Sequence, residues 1–143
     1  MTLWQTIASA AEGESPLWGA ALRARDAEPV FSPLAGEPYA LGLETIYEGY
    51  LVHYGRPRLF EPKDEESALL LGDYLYAHGL VRIAELDDVA AIRALAELIS
   101  HCAHLRAEGL PGDGEAWAAT AERLGSGGSG RDAALAAHAR VVG

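Results

Sequence analysis

Cysteine occurs once in the 143 residues, at Cys102, so no disulfide can form within the chain. Basic residues are scarce: eleven Lys+Arg stand against twenty-one Asp+Glu, giving a formal charge of −10 and a pI near 4.8. No cationic footprint exists to neutralise phosphates, so neither nucleic acid nor an anionic membrane is an expected partner. No apolar run approaches the roughly 20 residues that cross a bilayer, and an integral membrane protein is not expected. The N-terminus lacks the basic flank and apolar stretch of a signal peptide, which makes the cytoplasm the expected compartment. P-loop, GxGxxG, GxSxG and paired CxxC signatures are all missing, and with them the usual marks of nucleotide, hydrolase and thiol-redox chemistry. Strand-like alternation never lasts more than a few residues, and no repeat recurs at a fixed period.

What is there is helical. Half the residues are hydrophobic and 22% are charged, enough to bury a core. The reading is an all-α chain: a compact multi-helix bundle over residues 1–124, a Gly/Ser linker at 125–130, and a weakly held C-terminal helix at 131–143. Thr2 caps a short amphipathic helix in which Leu3, Trp4, Ile7 and Ala11 recur at helical spacing, and Gly13 breaks it. Ser15-Pro16 opens a brief second helix. Residues 28–38 carry three prolines and one glycine, which predicts an ordered loop.

Pro38 and Gly55 bracket a long helix, proline at its start and glycine past its end. Gly42 and Gly49 share one of its faces. Each costs about 0.8–1 kcal/mol relative to alanine in a helix, so the pair predicts close approach by another backbone or a ligand. Glu44 and Glu48 lie one turn apart on a side expected to be wet. Asp64 caps the next helix, whose stretch from Leu69 to Val81 is apolar nearly all round; that pattern belongs at the centre of a domain or in a subunit interface. Asp87 or Asp88 caps a third long helix with the stripe Val89, Ile92, Leu95, Ile99, Cys102 and Leu105, ended by Gly109 and Pro111. A short helix at residues 115–124 precedes the linker. The alanine-rich tail helix that follows offers little area to bury.

Glu97, His101 and His104 stand at four- and three-residue steps along one side of the third long helix, a spacing that lets metal-ligating groups converge. Glu44, Glu48 or His53 from a facing helix would have to complete such a site. The alternative reading is a polar flank with histidines at the boundary of core and water. Cys102, inside an apolar stripe, reads as a small buried hydrophobe rather than a nucleophile. Asp73 interrupts the apolar helix, where an unpaired carboxylate is expensive. Arg56 and Arg58 are its natural partners, in a buried structural bond or a ligand-facing one. Tyr74 and His78 share that helix.

The run Leu43-Glu44-Thr45-Ile46-Tyr47-Glu48-Gly49-Tyr50-Leu51-Val52-His53 resembles the helix of all-trans polyprenyl diphosphate synthases that ends in a Leu-Val-His-Asp-Asp type sequence. Tyr54-Gly55-Arg56-Pro57 is similar to that family's Arg-Gly-Arg-Pro segment. Leu69-Leu70-Leu71-Gly72-Asp73-Tyr74-Leu75-Tyr76-Ala77 is similar to its Leu-x-Gly-Asp-(Phe/Tyr)-Leu helix. The pieces keep the family's order over about residues 41–84, under a third of the chain. The family's first aspartate-rich motif, which holds magnesium against an allylic diphosphate, is replaced here by Tyr54 and Gly55. Ionising a diphosphate creates charge that positioned cations must meet, so this chain is not expected to transfer prenyl groups alone.

The resemblance implies a partial isoprenoid-synthase-like helical arrangement in a non-catalytic binding or regulatory protein. Such a protein would be a partner subunit, in a homo-oligomer or with another chain, or a binder of an isoprenoid or other apolar ligand. Tyr47, His53, Arg56, Arg58, Asp73 and Tyr74 would face the ligand, the arginines suiting a diphosphate or carboxylate. Two other classes fit the same sequence: a helical protein-protein interaction module, and a metal-dependent helical protein using Glu97, His101 and His104. No cofactor is implied.

Overall fold

The computed structural model describes residues 1–23, 26–125 and 130–142. They form α1 (Leu3–Glu14), α2 (Pro16–Ala21), α3 (Ser32–Ala35), α4 (Glu37–Tyr54), α5 (Glu65–Ala84), α6 (Val89–Ala107), α7 (Asp113–Leu124) and α8 (Arg131–Val142). No strand occurs among the described residues; the nearest approach is an isolated bridge between Leu22 and Phe60. Most of the linker at 125–130 lies outside the described residues.

Side-chain caps set the helix starts. Thr2 and Gln5 form a reciprocal capping box on α1, and Ser15 caps α2 one residue before Pro16. Asp64 accepts from the Ser67 amide, and Asp88 from the Ala91 amide, so Asp88 and not Asp87 caps α6. Asp87 instead takes a left-handed turn conformation, φ 56°. The proline-rich stretch at 28–38 is not all loop. Pro33 is the second residue of the single turn of α3, and Gly36, at φ 95°, swings the chain directly into α4.

The central element is α4, buried without interruption from Gly42 to Val52. It divides two apolar clusters. On one side Phe31, Leu43, Ile46, Tyr47, Tyr50, Leu95, Leu98, Cys102 and Trp117 join α4 to α3, α6, α7 and α8. On the other, Ile7, Ala11 and Trp18 of α1 and α2 pack with Val52, Phe60, Leu71 and Leu75. Fully buried side chains of this size contribute about 1.5–3 kcal/mol each, and they concentrate around one helix.

The two glycines of α4 do meet another backbone. A Cβ on Gly42 would sit 2.5 Å from Ile83 Cδ1 and 3.2 Å from the Gly79 carbonyl; one on Gly49 would sit 2.9 Å from the Gly72 carbonyl. A Cβ on Gly79 would in turn sit 3.0 Å from the Gly42 carbonyl. Gly42 faces Gly79 and Gly49 faces Gly72, and the two antiparallel helices make the most extensive helix contact in the fold. Dispersion between closely spaced backbones and Ile46, Leu75 and Ile83 offsets the low helix propensity of four glycines.

The expectation that α5 sits at the centre needs correcting. Its face with Leu71, Gly72, Leu75, Gly79 and Ile83 is buried on α4, but Leu69, Leu70 and Val81 are 55%, 52% and 56% exposed. Apolarity all round the helix therefore splits into a packed face and an open one. The tail helix α8, read as weakly held from its alanines, carries two buried residues, Ala134 and His138. Its last turn is met by Gly55-Arg56: the Arg56 amide donates to the Val141 carbonyl at 2.8 Å and the Arg56 guanidinium to the Arg140 carbonyl, satisfying C-terminal carbonyls that the helix itself cannot.

Candidate functional site

Glu44 and Glu48 are not on a wet face. Both are fully buried, and Arg58 lies between them, its Nη1 2.5 Å from Glu44 Oε1 and its Nε 3.0 Å from Glu48 Oε1. The remaining lone pairs are filled by backbone amides. Val30 and Ser32 donate to Glu44 Oε2, Leu59 to Glu48 Oε2, and Arg58's own amide to Glu48 Oε1. Trp4 and Tyr47 lie against the guanidinium at 4.7 and 5.1 Å. Burial disfavours the charge on Arg58, but the two carboxylates outweigh it and its pKa is raised. The triad ties α4 to the chain before α3 and to the turn after Gly55. Arg58 is thus neither the partner of Asp73 nor open to an anionic ligand, and Arg56 is committed to α8.

A second network crosses the opposite side of α4. Asp113, in the first turn of α7, receives three donors on Oδ2: Tyr50 Oη at 2.7 Å, Arg106 Nη2 at 2.6 Å and His138 Nε2 at 3.0 Å. The ring's other nitrogen, Nδ1, is 2.6 Å from the Tyr47 hydroxyl. With Nε2–H donated to the carboxylate, a neutral ring accepts the Tyr47 proton at Nδ1. Burial alone would raise the Asp113 carboxyl; the hydrogen bonds from His138, Tyr50 and Arg106 more than reverse this and hold it well below its ordinary range. Burial pushes the Tyr47 and Tyr50 hydroxyls up. A carboxylate, an imidazole and a hydroxyl in line form the connectivity of a general-base relay. Here Tyr47 is fully enclosed by Phe31, Tyr50 and Trp117, so its hydroxyl meets no substrate, and the network, with Arg106 of α6, joins four helices instead.

Asp73 points outward, with its side chain 64% exposed, and its partner is His53, whose Nε2 lies 3.3 Å away. No desolvation cost had to be met by an arginine. The His53 ring stands over Gly72, where a Cβ would collide with it, and leans on Tyr54 and Tyr76. Burial lowers the His53 pKa against the opposing pull of Asp73. These residues open onto a groove between α5 and α6 lined by Asp73, Tyr76, Ala77, Leu80, Ala96 and Ile99. Tyr74 faces away from it, bonded to His78 at 3.0 Å and stacked near Trp18. Of the six residues that the resemblance would turn toward a ligand, only Asp73 lines this groove, with His53 behind it as its partner.

The metal-binding alternative gains no support from the geometry. Glu97, His101 and His104 are all exposed, and no group of three or more His, Cys, Asp or Glu is arranged to hold a metal ion among the described residues. Glu44 and Glu48 cannot complete a site because Arg58 occupies them. Cys102 is buried in the core, and burial pushes its thiol up to about 12. Sequence reasoning missed Asp113 and His138; the available signal was a lone histidine in an alanine-rich helix and an aspartate at a helix start after Pro111-Gly112.

Compared with family models, curated proteins and solved structures, the chain matches none. No helix among the described residues is long and apolar enough to cross a membrane.

Proposed function

We propose that this chain is a non-catalytic partner subunit whose α5–α6 face receives a helix of another protein, one of the polyprenyl diphosphate synthase type. The observation that carries the reading is the open stripe on α5. Leu70, Ala77, Val81 and Ala84 recur along one exposed line, beside the groove of Tyr76, Leu80, Ala96 and Ile99. Their steps of seven, four and three residues match what a docking helix requires. The region of resemblance, residues 41–84, coincides with the α4–α5 pair that presents this stripe.

Two further observations favour a partner over a bound isoprenoid. The side chains between α4, α6 and α7 include Tyr47, Tyr50, Phe31 and Trp117, large rings that pack on one another and fill the interior there. Of the two arginines suited to a diphosphate, Arg58 is buried between two carboxylates and Arg56, at the surface, is bonded to the end of α8. Exposed Glu66, Asp73 and Glu97 flank the face, and the chain carries a charge of −10, so a second copy would be repelled and a helix flanked by Lys or Arg attracted.

The test uses the tagged chain expressed in its own cells, with Leu70→Arg/Val81→Arg as the paired control; both positions are exposed, so folding is retained. Supplied with magnesium, isopentenyl diphosphate and an allylic diphosphate, the wild-type complex is expected to form elongated product, while this chain alone and material captured with the double variant form none. Equal activity from the two captures, or none from either, overturns the proposal.

A further inference from the structure

A cavity of about 130 Å³, away from the α5–α6 face, opens between α2, residues 61–63 and the first turns of α5. Trp18, Ala21 and Leu71 form its buried apolar interior, and exposed Leu17 stands at its wall. An apolar cavity of roughly 150 Å³ accommodates a benzene ring, so this one takes a single ring or a short branched chain. The mouth carries charge. Arg23 and Glu61 are paired there at 3.1 Å, and beside them stands Lys63, the sole lysine of the chain. Asp64, the adjacent acid, accepts from the Ser67 amide at 2.8 Å as the cap of α5 while also feeling the Lys63 charge. In a chain of net charge −10, two of eleven basic residues thus converge on the rim of one apolar cavity.

We infer that this cavity binds a small organic acid, an aromatic or branched aliphatic monocarboxylate. Its apolar body lies on Trp18 and Leu71, and its carboxylate pairs with the Lys63 ammonium. The apolar contact supplies the affinity. The exposed ion pair, worth little in water, sets the orientation and the preference for an anion.

Benzoate, isovalerate and neutral benzamide serve as probes, read by the Trp18 indole N–H resonance of the full-length protein, assigned with Trp18→Phe. The two acids are expected to shift it saturably. Lys63→Gln should weaken benzoate binding by up to about fivefold, the upper end of what an exposed ion pair contributes. Ala20→Trp, an exposed wall position, should abolish binding by filling the mouth while leaving the melting temperature unchanged. The assignment is overturned by any of three results: no saturable shift at tens of millimolar acid, benzamide binding as tightly as benzoate, or unaltered binding in Ala20→Trp.

Discussion

The Tyr47 hydroxyl lies 2.6 Å from His138 Nδ1, and this contact joins two side chains 91 positions apart. Through its other nitrogen the same ring reaches Asp113, so one imidazole fixes α8 against the middle of α4 and the start of α7. The alanines of the tail helix supply propensity; this histidine supplies its polar anchorage in the core.

Stability should fall in acid because of Asp113. Its carboxyl is held below the ordinary 3.8, so the unfolded chain takes up the proton first as pH drops. The contribution is complete above about pH 5 and is lost progressively below about pH 4. Asp113→Asn should cost about 1–3 kcal/mol at neutral pH, and the gap to wild type should narrow steadily as the pH falls below about 4. Urea unfolding across this range measures it; two curves that stay parallel would assign the acid sensitivity elsewhere.

Removing Arg58 should be among the most damaging single changes. Arg58→Met leaves Glu44 and Glu48 buried without their cation, at a cost of about 3–5 kcal/mol against a total of roughly 5–15 for a domain. Adding Glu44→Gln and Glu48→Gln removes the stranded charge and should restore part of the loss. Denaturation midpoints of the single and triple variants decide this, and a loss under about 1 kcal/mol for Arg58→Met would mean the triad is not held as described.

Two glycine replacements should move in opposite directions. A Cβ on Gly79 meets Ile46 and lies 3.0 Å from the Gly42 carbonyl, so Gly79→Ala should destabilise by about 1–3 kcal/mol in spite of better helix propensity. Gly13, in the last turns of α1, has nothing within 4 Å, and Gly13→Ala should stabilise by up to about 1 kcal/mol. Thermal melts of the two proteins test the contrast, and a neutral Gly79→Ala would deny the close contact.

The helices were legible because their ends are written locally: Thr2, Ser15, Asp64 and Asp88 accept amides within three residues, and Pro38 and Gly55 bracket α4. Gly42 and Gly49 announced a close neighbour from propensity alone. The interior polar groups were not legible in the same way. Glu44 and Glu48 look like a solvated face at helical spacing, and their burial depends on an arginine beyond the turn and on amides of a loop that only the tertiary fold delivers. Asp73 looked expensive inside an apolar run, but the run has an open side, which pattern alone cannot assign. His138 and Asp113 meet across 25 positions, a separation no periodicity reports.

The paired glycines also fix where this chain tolerates a change of length. Each pair repeats at seven residues, one along α4 and the other running the opposite way along α5. An insertion or deletion of one residue within 42–49 or 72–79 turns the downstream glycine by about 100° and puts a side chain onto the neighbouring backbone. Those two spans are rigid rulers, and the turn that connects them is held in register as well, because Arg56, Arg58 and Leu59 are each bonded from it to a helix.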